Sequence, residues 1–129
     1  MRAYIGTKIV MAEPQEKEGK EGYKVVYKDG YTSWSPKDVF EEAYHVTNNM
    51  TFGEAVEALK KGRRVSREGW NGKRMYLFLA DGKDLSSLLS KESYEFVSSI
   101  CMKTAQDTIV VGWLASQTDM LSEDWVIVE

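Results

Sequence analysis

The sequence predicts an α+β protein with a mainly antiparallel sheet, two amphipathic helices and a short C-terminal helical turn. Three observations carry that expectation. Short β-rich runs are joined by turn signals such as Asp29-Gly30 and Ala105-Gln106-Asp107, only two segments carry a clear helical apolar stripe, and no repeat of solenoid length is present. With 129 residues, 43% of them hydrophobic, the chain suffices for one compact domain and a small appended module.

Residues 3–12 and 22–34 read as strands, and the charged stretch 13–21 between them, which has no apolar anchor, reads as a mobile loop. Tyr23, Val25 and Tyr27 alternate with Lys24, Val26 and Lys28, as in a hairpin strand with one better-buried face. Ser35-Pro36 then opens a helix. Ser35 caps it, Pro36 takes its first position, and Val39, Phe40, Ala43 and Tyr44 form its apolar stripe. Residues 1–46 are therefore expected to form a small ββα module, distinct from residues 47–129.

The second helix is clearer, because Thr51 and Glu54 have capping-box spacing, Phe52, Ala55, Val56 and Leu59 share a face, and Gly62 ends it. Residues 64–66 form a short strand, and a turn at 69–72 leads to a strand at 74–80. That strand is apolar on both faces, which predicts cover on both sides by this chain or a partner. Residues 85–96 read as an irregular helix or loop. Strands at 99–103 and 108–114 form a hairpin, and a strand at 125–128 follows the polar segment 115–124.

Several functions are disfavoured by composition. A net charge of -3 argues against coating polymeric nucleic acid, although Lys60, Lys61, Arg63, Arg64, Arg67, Lys73 and Arg74 leave room for a local anion site. No apolar run is long enough for a bilayer, and residues 1–8 lack the apolar region of a secretory signal, so the cytoplasm is expected. One cysteine, Cys101, and one histidine, His45, make neither a disulfide nor a zinc-type ligand set, so no metal and no cofactor are expected. Catalysis has weak support: Cys101 suits a core strand and His45 a helix end. Asp119, Glu123 and Asp124 lack a second group of defined role. Residues 69–73 have glycine spacing too short for a phosphate loop, with Arg74 in place of its Ser or Thr.

Binding of a planar polar small molecule is better supported. Arg67 offers a charged fork, Trp70 a stacking face and Asn71 an amide that donates and accepts. Ser116, Gln117, Thr118 and Asp119 offer hydroxyls, backbone donors and the start of a short helix to a phosphate or ribose, with Thr118 as a plain helix cap the competing reading. Trp113 and Trp125 border apolar strands and suit the core. Trp34, between Ser33 and Ser35, fits either core or pocket wall.

Two segments also carry a family resemblance. The helix running from Met50-Thr51-Phe52-Gly53-Glu54 into Arg67-Glu68-Gly69-Trp70, followed by Thr118-Asp119 and Asp124-Trp125 in the stretch 109–127, resembles the Thoeris anti-defense 2 family of small phage and prophage proteins. The resemblance covers about residues 50–129. It implies a non-enzymatic sponge that forms homotetramers and captures the cyclic ADP-ribose isomer made by bacterial TIR proteins in the host cytoplasm. Some members are similar enough to hold cyclic dinucleotides too, blocking CBASS defence. It matches Trp70 to the family's pocket aromatic, Arg67 to the preceding basic residue, and Asp119 and Asp124 to acidic positions before Trp125. The competing expectations are a structural or adaptor protein of a phage particle, and a small hydrolase acting through Asp119 or Glu123. Residues 1–46 are absent from the family's shortest members, and their role stays open.

Overall fold

The protein is described by a computed structural model that covers residues 1–70, 74–89 and 94–129. It comprises two compact units, Met1–His45 and Val46–Glu129. Asn71, together with Gly72 and Lys73, lies outside the described residues.

In the first unit, β1 (Met11–Pro14), β2 (Gly22–Val26) and β3 (Thr32–Pro36) form an antiparallel sheet in that order, followed by helix α1 (Lys37–Ala43). The stretch 22–34 is thus two strands, giving βββα where the sequence predicted ββα. Gly30 adopts φ +89°, its N–H donates to the Tyr27 carbonyl at 2.9 Å, and the Tyr31 N–H donates to Asp29 Oδ1 at 2.9 Å, so the chain reverses there. The predicted strand 3–12 is also corrected. Pairing starts at Met11 opposite Val26, where β2 enters its turn, so residues 3–10 lie outside the sheet. The expected loop 13–21 is instead a hairpin connection. Glu13 and Pro14 continue β1, and Lys17 and Lys20 exchange backbone hydrogen bonds across Glu18 and Gly19, both at positive φ.

Ser35 and Pro36 remain paired with Tyr23 and Gly22, so the helix starts one residue later, with Pro36 as a cap that has no side-chain hydrogen bond. Of the predicted stripe, Phe40 stacks on Tyr23 (centroids 4.3 Å apart) and on Tyr44 (4.9 Å), whereas Val39 is exposed.

The second unit is a five-stranded antiparallel sheet in the order β7-β6-β5-β4-β8: β4 (Arg64–Arg67), β5 (Tyr76–Ala80), β6 (Ser99–Lys103), β7 (Ile109–Val111) and β8 (Trp125–Val128). Helix α2 (Phe52–Lys60) starts with the predicted reciprocal cap between Thr51 and Glu54 and ends at Gly62, φ +81°. It packs its Ala55, Ala58 and Leu59 against Val65, Leu77, Met102 and Trp125, with Met50 closing the cluster. Residues 82–89 are regular helix, α3 (Gly82–Leu89), because Asp81 acts at its start: Oδ1 accepts the Lys83 N–H at 2.7 Å and its carbonyl accepts Leu85 N–H at 3.0 Å. The predicted turn at Asp81-Gly82 is therefore a helix opening.

Strand β5 has Leu77 fully buried on one face and Tyr76 and Phe78 half-buried on the other. Strand β7 stops well before residue 114. The Gly112 and Trp113 N–H groups both donate to the Ile100 carbonyl, a bulge with Gly112 at φ +84° that ends the ladder and brings Trp113 against the core.

Candidate functional site

Two turns that are remote in sequence meet at Arg67, the last residue of β4. Its Nε donates to Asp124 Oδ1 at 3.0 Å and its Nη1 to Asp119 Oδ1 at 2.9 Å. Each carboxylate spends its other oxygen on its neighbourhood: Asp124 Oδ2 accepts the Gly69 N–H at 3.1 Å, and Asp119 Oδ2 accepts the Ser116 N–H at 2.9 Å. The three side chains retain only 15%, 13% and 30% of their exposure for Arg67, Asp119 and Asp124.

The local structure explains why these residues arrive together. Antiparallel pairing sets Arg67 opposite Trp125, which carries Asp124 to the end of β4. From there Glu68 N–H donates to the Asp124 carbonyl at 3.0 Å and Trp70 N–H to the Arg67 carbonyl at 3.1 Å, closing the turn that holds the Trp70 ring. On the other side, helix α4 (Gln117–Leu121) is capped by Ser116, whose Oγ accepts the Asp119 N–H at 3.0 Å. Thr118 is therefore not the cap; it lies within the first turn, exposed beside Gln117. Of the backbone N–H groups at the start of α4, those of Ser116 and Asp119 are taken up by this reciprocal cap.

Trp125 is fully buried and donates its indole N–H to the Asp119 carbonyl at 2.9 Å. Trp70 and Trp113 meet it edge-on, at centroid distances of 5.3 and 6.3 Å. Trp113 thus serves the core as expected, and Trp70 is half-buried, with part of its ring packed and part open.

Electrostatically the centre is acidic, since one guanidinium against two carboxylates leaves one net negative charge. Burial pushes both carboxyls up, but hydrogen bonds outweigh it. For Asp119 these come from Ser116 and Arg67, and for Asp124 from Arg67 and the Gly69 N–H; both stay below the ordinary aspartate value. The Asp124 hydrogen bond in turn holds the Arg67 pKa above its usual value, against burial. Arg67 Nη2 has no hydrogen bond among the described residues and remains a donor.

The fold thus brings together Arg67, Trp70, Ser116, Gln117, Thr118 and Asp119, and adds Asp124 and Gly69, whose connecting roles the sequence did not disclose. The available signal was the acidic Asp124 directly before Trp125, but a pairing 57 residues away has no local signature. Trp34 belongs to the first unit. Its indole N–H donates to the Gln15 carbonyl at 2.8 Å, its ring lies against Gly22, and Lys17 Nζ sits 5.7 Å from the ring centroid. Cys101 is 1% exposed, with its thiol directed to the Ser99 carbonyl. Among the described residues no group of three or more His, Cys, Asp and Glu is placed to hold a metal ion, and no helix is long and apolar enough to cross a membrane.

Comparison with known proteins falls on the same unit. A family model described as a Thoeris anti-defense 2-like domain matches residues 50–128. The chain is also similar to a protein of Bacillus phage SP01 named Thoeris anti-defense 2, at 46% identity over 85 residues, covering 61% of this chain and 94% of that protein. All the residues that meet at Arg67 lie inside the matched stretch, and Trp34 lies outside it.

Proposed function

Since the chain belongs to the Thoeris anti-defense 2-like family, we propose that it serves phage anti-defence as a non-enzymatic sponge, binding cyclic nucleotide immune signals and holding them intact. The ligands of this reading are TIR-derived cyclic ADP-ribose isomers and, as a second class, the cyclic dinucleotides of CBASS. Capture takes place in the host cytoplasm.

The observation that carries the reading is the meeting of the Trp70 turn and the 116–119 turn on Arg67, across 52 and 57 residues of sequence. The meeting ties the turn that carries the half-buried Trp70 indole to the turn that carries exposed Gln117 and Thr118 and the Ser116 hydroxyl, and leaves Arg67 Nη2 as a spare donor. An indole stacks on a base, and short polar side chains suit ribose hydroxyls and base edges. Asn71, which lies outside the described residues, stays in the proposed ligand set, and Trp34 stays as a proposed aromatic contact of the first unit, apart from the Arg67 centre.

Sequestration also agrees with the acid–base state of the centre. A general acid at neutral pH needs a raised pKa, whereas Asp119 and Asp124 are held below the ordinary value by their hydrogen bonds despite burial, and stay ionised. Self-association, as a homotetramer, is part of the proposal. Ile109, Val110 and Val111 are all exposed on edge strand β7, next to β6, and Phe78 of β5 is half-buried, leaving apolar surface for a second copy. To starve an effector that responds at nanomolar signal, each site needs about -12 kcal/mol or better.

The test is to incubate the purified chain with the cyclic ADP-ribose isomer and, separately, with cyclic dinucleotides, remove free ligand, and heat the protein. Recovery of unaltered ligand supports the sponge. An altered product would establish an enzyme instead, and no retention of any of these ligands would overturn capture and favour a structural or adaptor role.

A further inference from the structure

We infer that Arg67 is a positioning residue for capture, acting through Asp119 and Asp124 to hold the Trp70 turn and the 116–119 turn in one fixed arrangement. This deepens the capture reading and rests on it.

Three features of the site lead there. Each carboxylate is divided between Arg67 and the backbone of one turn: Asp124 joins it to the Gly69 N–H, and Asp119 joins it to the Ser116 N–H. Rotation of either turn is therefore transmitted through a carboxylate to the same guanidinium. The guanidinium is planar, so Nε and Nη1 point in fixed directions and set the angle between the two carboxylates, which a single rotatable ammonium does not do. Finally, the Arg67 charge is already outnumbered by its two partners, which makes it a poor net attractor for a phosphate and a good strut. Groups that contact a ligand bind well only when a supporting layer fixes them to within about 0.5 Å. Here that layer is three partly buried side chains drawn from three segments of the chain.

The experiment uses the ¹⁵N-labelled full chain, free and with the cyclic ADP-ribose isomer. In the free protein, Asp119→Asn is expected to shift the Gly69 amide and the Trp70 indole signals, and Asp124→Asn to shift the Ser116 amide, each on the turn that was not altered. Arg67→Lys is expected to shift both turns and to weaken capture by several-fold or more, since it removes the fixed fork that both carboxylates share. Cross-turn signals that stay in place in both Asn variants overturn the inference, whether or not ligand binds. Weakened capture by Arg67→Lys with both turns unshifted assigns Arg67 to direct ligand contact alone, with no positioning role, and overturns it as well. Should Arg67→Lys not fold, the two Asn variants carry the test, since each keeps Arg67 and an acceptor for its own turn; their cross-turn shifts must then come with weakened capture. If wild-type protein captures nothing while the cross-turn shifts are present, the capture reading fails and Arg67 is a structural strut alone.

Discussion

Arg67 Nε and Asp124 Oδ1 lie 3.0 Å apart across 57 residues of sequence, and the second oxygen of the same carboxylate accepts the Gly69 N–H at 3.1 Å. Asp124→Ala would remove an acceptor from both and leave Arg67 with Asp119 alone. With Asp124 30% exposed and Arg67 15%, the pair stands between a surface ion pair, worth about 0–1 kcal/mol, and a buried one, whose breakage costs about 3–5 kcal/mol. The expected loss is about 2 kcal/mol of unfolding free energy, read from urea denaturation. A loss below about 0.5 kcal/mol would show that the pair is no more than a surface contact.

The same carboxylates set an acid limit. Burial alone would raise both pKa values, but the Ser116 and Arg67 bonds to Asp119, and the Arg67 and Gly69 bonds to Asp124, leave them below the unfolded value of about 3.9. A group with a depressed folded pKa takes up its proton more readily when unfolded. Its contribution is therefore complete above about pH 4–5 and disappears as pH falls through the folded values. Unfolding midpoints measured from pH 7 to pH 2 should be level and then drop. Asp119→Asn with Asp124→Asn should flatten that drop; a double variant with an unchanged acid limb would locate the effect in other carboxylates.

Legibility in the sequence followed the range of the interaction. The Thr51–Glu54 cap, the Gly62 stop and the hairpin at 105–107 are local devices, and all three are in the structure where the sequence put them. Residues 3–10 have strand-like composition yet lie outside the sheet, whose first strand begins at Met11, because strand formation depends on a neighbouring backbone that the segment's own sequence does not reveal. Ser35-Pro36 has a helix-start signature, yet its pairing with Tyr23 and Gly22 keeps it in the sheet. At the site, the two motifs were each readable, but Arg67 looked like a free cation. Its pairing with two carboxylates depends on the β4–β8 register, a non-local fact.

Trp125 offers a test of the buried polar link beneath the site. Trp125→Phe keeps an aromatic in the core but deletes the indole N–H that the Asp119 carbonyl accepts at 2.9 Å, and leaves a smaller ring against Phe52, Trp70 and Trp113. An unpaired buried acceptor costs about 1–3 kcal/mol, and the lost packing adds to it. Chemical denaturation should show a total of about 2–4 kcal/mol. A cost below about 1 kcal/mol would mean that the Asp119 carbonyl is readily satisfied by solvent.

In the first unit, the Trp34 ring fits against β2 only because position 22 has no side chain. A Cβ on Gly22 would collide with the Trp34 ring and with the Ser35 carbonyl, both on the paired strand. Gly22→Ala should therefore displace Trp34 and break its bond to the Gln15 carbonyl, at a cost of about 1–3 kcal/mol typical of overpacking. Assignment of the Trp34 indole signal by NMR reads this directly. An unmoved signal with unchanged stability would mean that the strands separate enough to admit a methyl group.

Trp70→Ala separates stacking from support. The ring is half-buried and meets Trp125 and Trp113 edge-on, so its loss removes core packing as well as an open aromatic face. Burial of half an indole accounts for roughly 1–2 kcal/mol. A fold with an intact cluster of Leu59, Val65, Leu77 and Trp125 should survive that, and its assembly state should survive with it. Base stacking on an aromatic contributes about 1–3 kcal/mol, so capture of at least one cyclic nucleotide should fall by about 5-fold to 150-fold or vanish. Calorimetric titration gives the affinity, and light scattering on the same sample gives the mass. Unchanged affinity for the cyclic ADP-ribose isomer and for cyclic dinucleotides, in a variant of unchanged mass, would remove Trp70 from the ligand set and leave it a core residue like Trp113.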